Sequence, residues 1–190
     1  MVVNALRDIR DAWNGLLSFL RLLKPRLCGL QTGKAVRVGS TIEWPLGNAR
    51  NISIGERVSL GARGWFYIPL QNRRARIQIG SGTSIGNDFV ITSNSSIEIG
   101  DDCLLSYRVS VMDHSHITGL GVGPVTSGLT KGAPVSIGNK CFLGCNVVVM
   151  PGVRLGDNCV VGANSVVTKS FEAGSVIAGA PAKLLKNLAE

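Results

Sequence analysis

Residues 137–172 read I-G-N-K-C-F, L-G-C-N-V-V, V-M-P-G-V-R, L-G-D-N-C-V, V-G-A-N-S-V, V-T-K-S-F-E. A branched aliphatic residue stands at Ile137, Leu143, Val149, Leu155, Val161 and Val167, and glycine follows it in four of those six places. Neither the turn of an α-helix nor the alternation of a free strand returns every six residues. A solenoid with three short strands per coil does, and hexapeptide periods mark that architecture.

Upstream, the same signal runs with interruptions. It begins weakly at Val38-Gly39 and strengthens at Ile54-Gly55, Leu60-Gly61 and Phe66. Residues 67–78 break it, and Pro69 with the Arg73-Arg74-Ala75-Arg76 run reads there as a short extruded loop with a solvated basic tip. The period resumes at Ile79, Ile85 and Ile91, and restarts two residues late at Ile99, Leu105 and Val111. Residues 113–136 interrupt it again with a Gly- and Thr-rich stretch that carries Pro124 and Pro134. The expected organisation is all-β. Residues 1–35 form an amphipathic helix and linker, 36–178 a parallel β-helix with an extruded loop at 113–136, and 179–190 a short tail, open to a helical reading.

Composition agrees with a narrow, layered core. The chain has 190 residues, 45% hydrophobic but only 5% aromatic, with 24 glycines, enough for one domain and a small appendage. No apolar run reaches the ~18 residues of a spanning helix. Arg7, Asp8, Arg10 and Asp11 interrupt any signal-peptide core, so a cytoplasmic location is expected. The formal charge is +8, which suits nucleic acid, an anionic membrane or an anionic ligand. Its basic clusters lack the interleaved aromatics that stack bases, so no nucleic-acid partner is expected.

Residues 2–24 carry the one helical period, with Leu6, Ile9, Trp13, Leu16, Leu17, Leu20 and Leu23 at three- and four-residue steps. Pro25 is expected to end the helix. Its apolar stripe either covers the open end of the solenoid or a neighbouring subunit, or makes a peripheral contact with an anionic membrane surface. Of the five cysteines, Cys103, Cys141 and Cys159 each stand two residues before a repeat aliphatic, which predicts small, buried, inert thiols. No paired C-x-x-C at zinc spacing occurs, and no metal is expected.

Both histidines of the chain lie in the long interruption, in Asp113-His114-Ser115-His116. Insertions in a compact repeat tend to be functional and to project on one face. Histidine is the side chain suited to take a proton near neutral pH.

Together the hexapeptides, the His-bearing loop and the closing A-G-A-P-A-K resemble the hexapeptide-repeat acyltransferases, over about residues 36–186. Within that family the chain looks most like galactoside-, maltose- and polysaccharide-type O-acetyltransferases. The resemblance implies a left-handed parallel β-helix, a homotrimer with its active site between adjacent subunits, and acetyl-CoA as acyl donor. By the family's spacing from Ile99, His116 is the first choice for the general base and His114 the second, with Asp113 orienting whichever ring acts. It further implies an oxyanion donor at the Cys145 amide. CoA contacts fall at Ala163, Thr168, Lys169, Lys183 and Lys186. Phe142 stands where the family often has tryptophan. Asn94 and Asn87 occupy acceptor-binding positions, although Asn94 replaces an aspartate and Gly86 beside Asn87 replaces a polar contact. A saccharide hydroxyl is the expected acceptor. Transfer to an amino sugar, a covalent route through Cys145 and a non-catalytic scaffold stand as alternatives.

Overall fold

The computed structural model describes residues 2–188, with the side chains of residues 12–188. From Gln31 onward the chain winds as a parallel β-helix whose short strands stack into three sheets. The first has six strands, the second eight and the third five. In the perfect block, Val135–Ile137 lies in the first sheet, Phe142–Leu143 in the second and Val148–Val149 in the third, and Arg154–Leu155 returns to the first.

The six-residue period becomes three ladders of inward side chains. In the first sheet Ile54, Ile79, Ile99, Ile137 and Leu155 stand in register. In the second, Val38, Leu60, Ile85, Leu105, Leu143, Val161 and Ile177 do so. Phe66, Ile91, Val111, Val149 and Val167 complete the third. All of these are buried, and each contributes the roughly 1.5–3 kcal/mol of a fully buried aliphatic or aromatic side chain.

The recurring glycine has a steric cause. A Cβ on Gly144 would lie 2.7 Å from the Ala163 backbone nitrogen of the next coil. At 4.7–4.9 Å between strands, the corner after Leu143 has no room for a side chain.

The N-terminal helix runs Val2–Leu27 and so continues through Pro25. Proline is the wrong place to end it here, because a Schellman arrangement does so instead. Leu30 N–H donates to Pro25 O (3.0 Å), and Gly29 N–H to Arg26 O (2.9 Å). Gly29 has φ +99°, the left-handed geometry this terminus requires, and buried Leu30 supplies its apolar contact. The helix docks on the first coil through Ser18, Leu22 and Pro25, with Ser18 Oγ accepting from Val38 N–H at 3.0 Å. Trp13, Leu16, Leu20, Leu23 and Leu27 face outward, so the apolar stripe does not cover the solenoid end. Leu6, Ile9, Arg7 and Arg10 have side chains outside the described residues.

The boundaries shift accordingly. Gln31–Thr32 already pairs with Ser53 and Ile54, so the solenoid starts ahead of residue 36. The C-terminal tail is a strand, Ala182–Asn187, folded antiparallel onto Ser175–Gly179 and closing the second sheet. Residues 189–190 lie outside the described residues.

Candidate active site

The site begins where the third sheet turns toward the first. Asp113 follows the strand Ser110–Met112 and is wholly buried, while His114 is 8% exposed. Asp113 Oδ1 lies 2.9 Å from His114 Nδ1 and accepts the Asn94 amide at 2.7 Å. Its Oδ2 accepts Ser93 Oγ–H at 2.7 Å and the Ser95 amide at 2.8 Å. Burial pushes this carboxyl upward, but the hydrogen bonds from His114, Asn94, Ser93 and Ser95 outweigh it and hold the group below its ordinary range. An ionised carboxylate only accepts, so Nδ1 carries the proton and the Nε2 lone pair is left free.

Asp113 thus meets His114 and not His116. The His116 ring is exposed, with Nδ1 3.3 Å from Pro124 O. The extruded loop folds back on itself beside it: Thr130 N–H donates to Ser115 O and Ile117 N–H to Gly128 O.

Cys145 occupies the other end of the third sheet, at the corner where the second sheet passes into it, and is exposed. At the equivalent corner of an earlier coil, the residue after glycine gives its amide to a side chain one coil on: Ala62 donates to Asn87 Oδ1. Above Cys145 that place is held by Ala163, which offers no acceptor. Among the described residues the Cys145 amide therefore donates to nothing.

Residues 134–169 match a family described as the hexapeptide repeat of succinyl-transferase. WbbJ of Escherichia coli K12, which carries the name of a lipopolysaccharide-biosynthesis O-acetyl transferase, is 35% identical over 108 residues, covering 53% of this chain and 55% of its own. Galactoside O-acetyltransferase of the same organism is 28% identical over 164 residues, 79% of this chain and 77% of the relative. A solved polysialic acid O-acetyltransferase, OatWY, superposes with a TM-score of 0.60 at 27% identity, covering 84% of this chain and 82% of that one. The chain is similar to hexapeptide-repeat acetyltransferases along most of its length. It spans little more than half the length of the first of these relatives.

The positions that a family acetyltransferase would use are distributed over two corners. Ala163 stacks on the Cys145 corner, where Asn164 N–H donates to Cys145 O at 2.8 Å. Thr168 and Lys169 are exposed at the His114 corner, two coils further on, roughly 10 Å along the solenoid. Lys183 and Lys186 lie on the closing strand, beside Ala178 and Val176. Phe142 points outward on the second sheet. Asn87 is at the Cys145-type corner, and its Oδ1 is taken by Ala62. The Asn94 side chain is committed within the fold: Nδ2 donates to Thr130 O (3.0 Å), and Oδ1 accepts from Asn72 Nδ2 (2.8 Å). Within one chain His114 and Cys145 therefore sit at opposite corners of the third sheet.

Reading the sequence for histidines and thiols misses the donors around Asp113. Ser93-Asn94-Ser95 sits one coil before Asp113 in the same corner, and that offset was the available signal. The thiols of Cys103, Cys141 and Cys159 are buried and point at the carbonyls of Gly138, Gly156 and Glu172 at 3.1–3.2 Å. Burial pushes Cys159 upward. Among the described residues, no group of three or more His, Cys, Asp or Glu gathers to hold a metal.

Proposed function

We propose that this protein is an acetyl-CoA-dependent O-acetyltransferase acting on a saccharide hydroxyl by direct transfer, with His114 as general base. The observation that carries the reading is the buried Asp113 carboxylate fixed on His114 Nδ1, 2.9 Å away. His114 Nε2 takes the acceptor hydroxyl proton, and the oxygen attacks the thioester carbonyl. The unpartnered Cys145 amide stabilises the oxyanion, a contribution of roughly 3 kcal/mol when such a donor is aimed well. Collapse breaks the C–S bond, and the imidazolium returns its proton to the departing CoA sulfur. An acetyl ester and free CoA result.

The catalytic groups come together in a homotrimer. The outward ladder of the third sheet runs Trp65, Val90, Ser110, Val148 and Val166, mostly apolar where the first sheet's reads Gln31, Ser53, Gln78, Glu98, Ser136 and Arg154. Packing the third sheet against a second copy buries the apolar face and brings one subunit's His114 corner to its neighbour's Cys145 corner. Ala163, Thr168, Lys169, Lys183 and Lys186 then hold the donor, with the lysines meeting its phosphates. The outward helix stripe, with Lys24 beside it and no acid between residues 12 and 27, rests on an anionic membrane surface, while Arg21 and Arg26 bind the solenoid at Val38 O and Thr32 Oγ1. No helix among the described residues is long and apolar enough to cross one.

The test is release of CoA thiol from acetyl-CoA by purified protein, with panels of hydroxyl sugars and amino sugars. His114→Ala should lose about 10²–10⁴ in turnover, the usual weight of a general base, while His116→Ala stays within about threefold. Intact turnover in His114→Ala refutes the assignment. Turnover confined to amino sugars moves the reaction to N-acetylation, and none with any acceptor leaves a scaffold.

A further inference from the structure

The side chains of the basic run near residue 74 are solvent-exposed, but the run is not a loose loop. Asn48 Nδ2 donates to Pro69 O (2.8 Å), and Asn51 Nδ2 to Arg73 O (2.9 Å). Asn72 Oδ1 accepts the amides of Arg74 and Ala75, both at 3.1 Å. Ala75 is buried, and Arg76 already belongs to the strand Arg76–Ile79. The backbone of this segment is therefore fastened at several points before any charge is considered.

So held, Arg74 and Arg76 line one side of a cleft of about 440 Å³, and Lys131 of the extruded loop lines the other. Three cations from two distant segments face one space, and no carboxylate lines it. Glu98 meets Arg76 at 3.3 Å but does not line the cleft. Like charges held in one cleft repel, and backbone bonds hold them there all the same.

The cleft is joined to the catalytic dyad through Asn94. Its amide binds Asp113, its Nδ2 holds Thr130 O one residue before Lys131, and its Oδ1 holds Asn72. Ser95 also lines the cleft and donates to Asp113. A molecule seated among the cations therefore lies against the residues that position His114.

We propose that this cleft is a subsite for an anionic group, a carboxylate or a phosphate, carried by the acceptor saccharide. Arginine presents planar paired donors to either group, and lysine adds a point charge. Neutral sugars gain nothing from that arrangement. The inference rests on the transferase reading for the word acceptor, but the cleft's affinity for anionic sugars can be measured without turnover.

The experiment is calorimetric titration of the full chain with glucose 6-phosphate, glucuronate, glucose and CoA, for wild type, Arg74→Gln and Lys131→Ala. These side chains are exposed, and unchanged melting temperatures confirm that the variants fold. At least one charged sugar should bind and glucose should not. Each substitution should weaken that binding about tenfold, the weight of a hydrogen bond to a charged partner, with CoA affinity unchanged. Whichever charged sugar loses more identifies phosphate or carboxylate as the group read. Charged sugars binding no tighter than glucose overturn the proposal. So does a loss of CoA affinity with charged-sugar affinity intact, which assigns the cleft to the donor. Arg74-dependent sugar binding without CoA release in any turnover assay keeps the cleft and removes the transferase reading.

Discussion

Asp113→Asn removes a charge while leaving the shape of the side chain. The wild-type oxygens accept four hydrogen bonds, His114 and Asn94 on Oδ1 and Ser93 and Ser95 on Oδ2. An asparagine must place its NH₂ on one side. On the Oδ1 side it faces the Asn94 amide, and on the Oδ2 side the Ser95 amide. Either choice strands one buried backbone N–H, at about 1–3 kcal/mol. For a chain of this size that corresponds to roughly 4–8 °C in melting temperature at the middle of the range. Catalysis suffers differently in the two placements. NH₂ on the Oδ1 side forces Nδ1 to become an acceptor, which puts the proton on Nε2 and disables the base. A triad whose histidine is held in the wrong tautomer loses about 10⁴ in kcat.

The pH dependence follows from the depressed Asp113 carboxyl. Its folded pKa lies below the unfolded value of about 3.9. The stabilisation is therefore complete above that value and is lost as pH falls through the folded pKa. The gap between thermal melts of wild type and Asp113→Asn should stay constant from pH 7 to about pH 4 and narrow as pH falls further. CoA release at neutral pH gives the catalytic readout. A variant that melts within 1 °C of wild type, by the hydrogen-bond weight above, and turns over within about threefold refutes the account of this carboxylate.

Gly29→Ala should cost about 1–2 kcal/mol in thermal unfolding, since the left-handed position disfavours a Cβ; that atom would also lie 2.9 Å from Arg50 Cβ. Cys145→Ala should keep CoA release within about threefold, because the amide and not the thiol is used; a burst of acetylated protein lost in this variant would point to the covalent route. Leu20→Glu with Leu23→Glu should abolish sedimentation with anionic vesicles while the solenoid melts normally. Equal binding to neutral vesicles at high salt would contradict the electrostatic part of that contact.

The solenoid was legible because sterics repeat with the sequence. The inward aliphatic and the following glycine at Ile137, Leu143 and Leu155 each meet the same constraint, one corner after another. Two features were not legible for the same physical reason, namely that side chains from distant coils decide them. The choice between His114 and His116 depends on where Asp113 points, and that is fixed by Ser93, Asn94 and Ser95 some twenty residues earlier. The rigidity of the arginine run depends on Asn48 and Asn51, which no local pattern connects to it. The helix end at Gly29 was readable, but Pro25 is the more familiar stop signal and masked it.

The side-chain ladder at the corner between the first and second sheets has a consequence for how such a chain changes length. Ser81 leans on Asp101, Asp101 on Asn139, and Asn139 on Asp157, each amide reaching one coil on at 2.6–2.8 Å. Each of these coils therefore presents the same socket below and the same plug above. Excising residues 139–156 would join Gly138 to Asp157 and restore I-G-D-N-C-V behind an unbroken ladder. The stack grows or shrinks by whole turns without repacking its interior. Length can then vary while the corner carrying Asp113 and His114 keeps its shape.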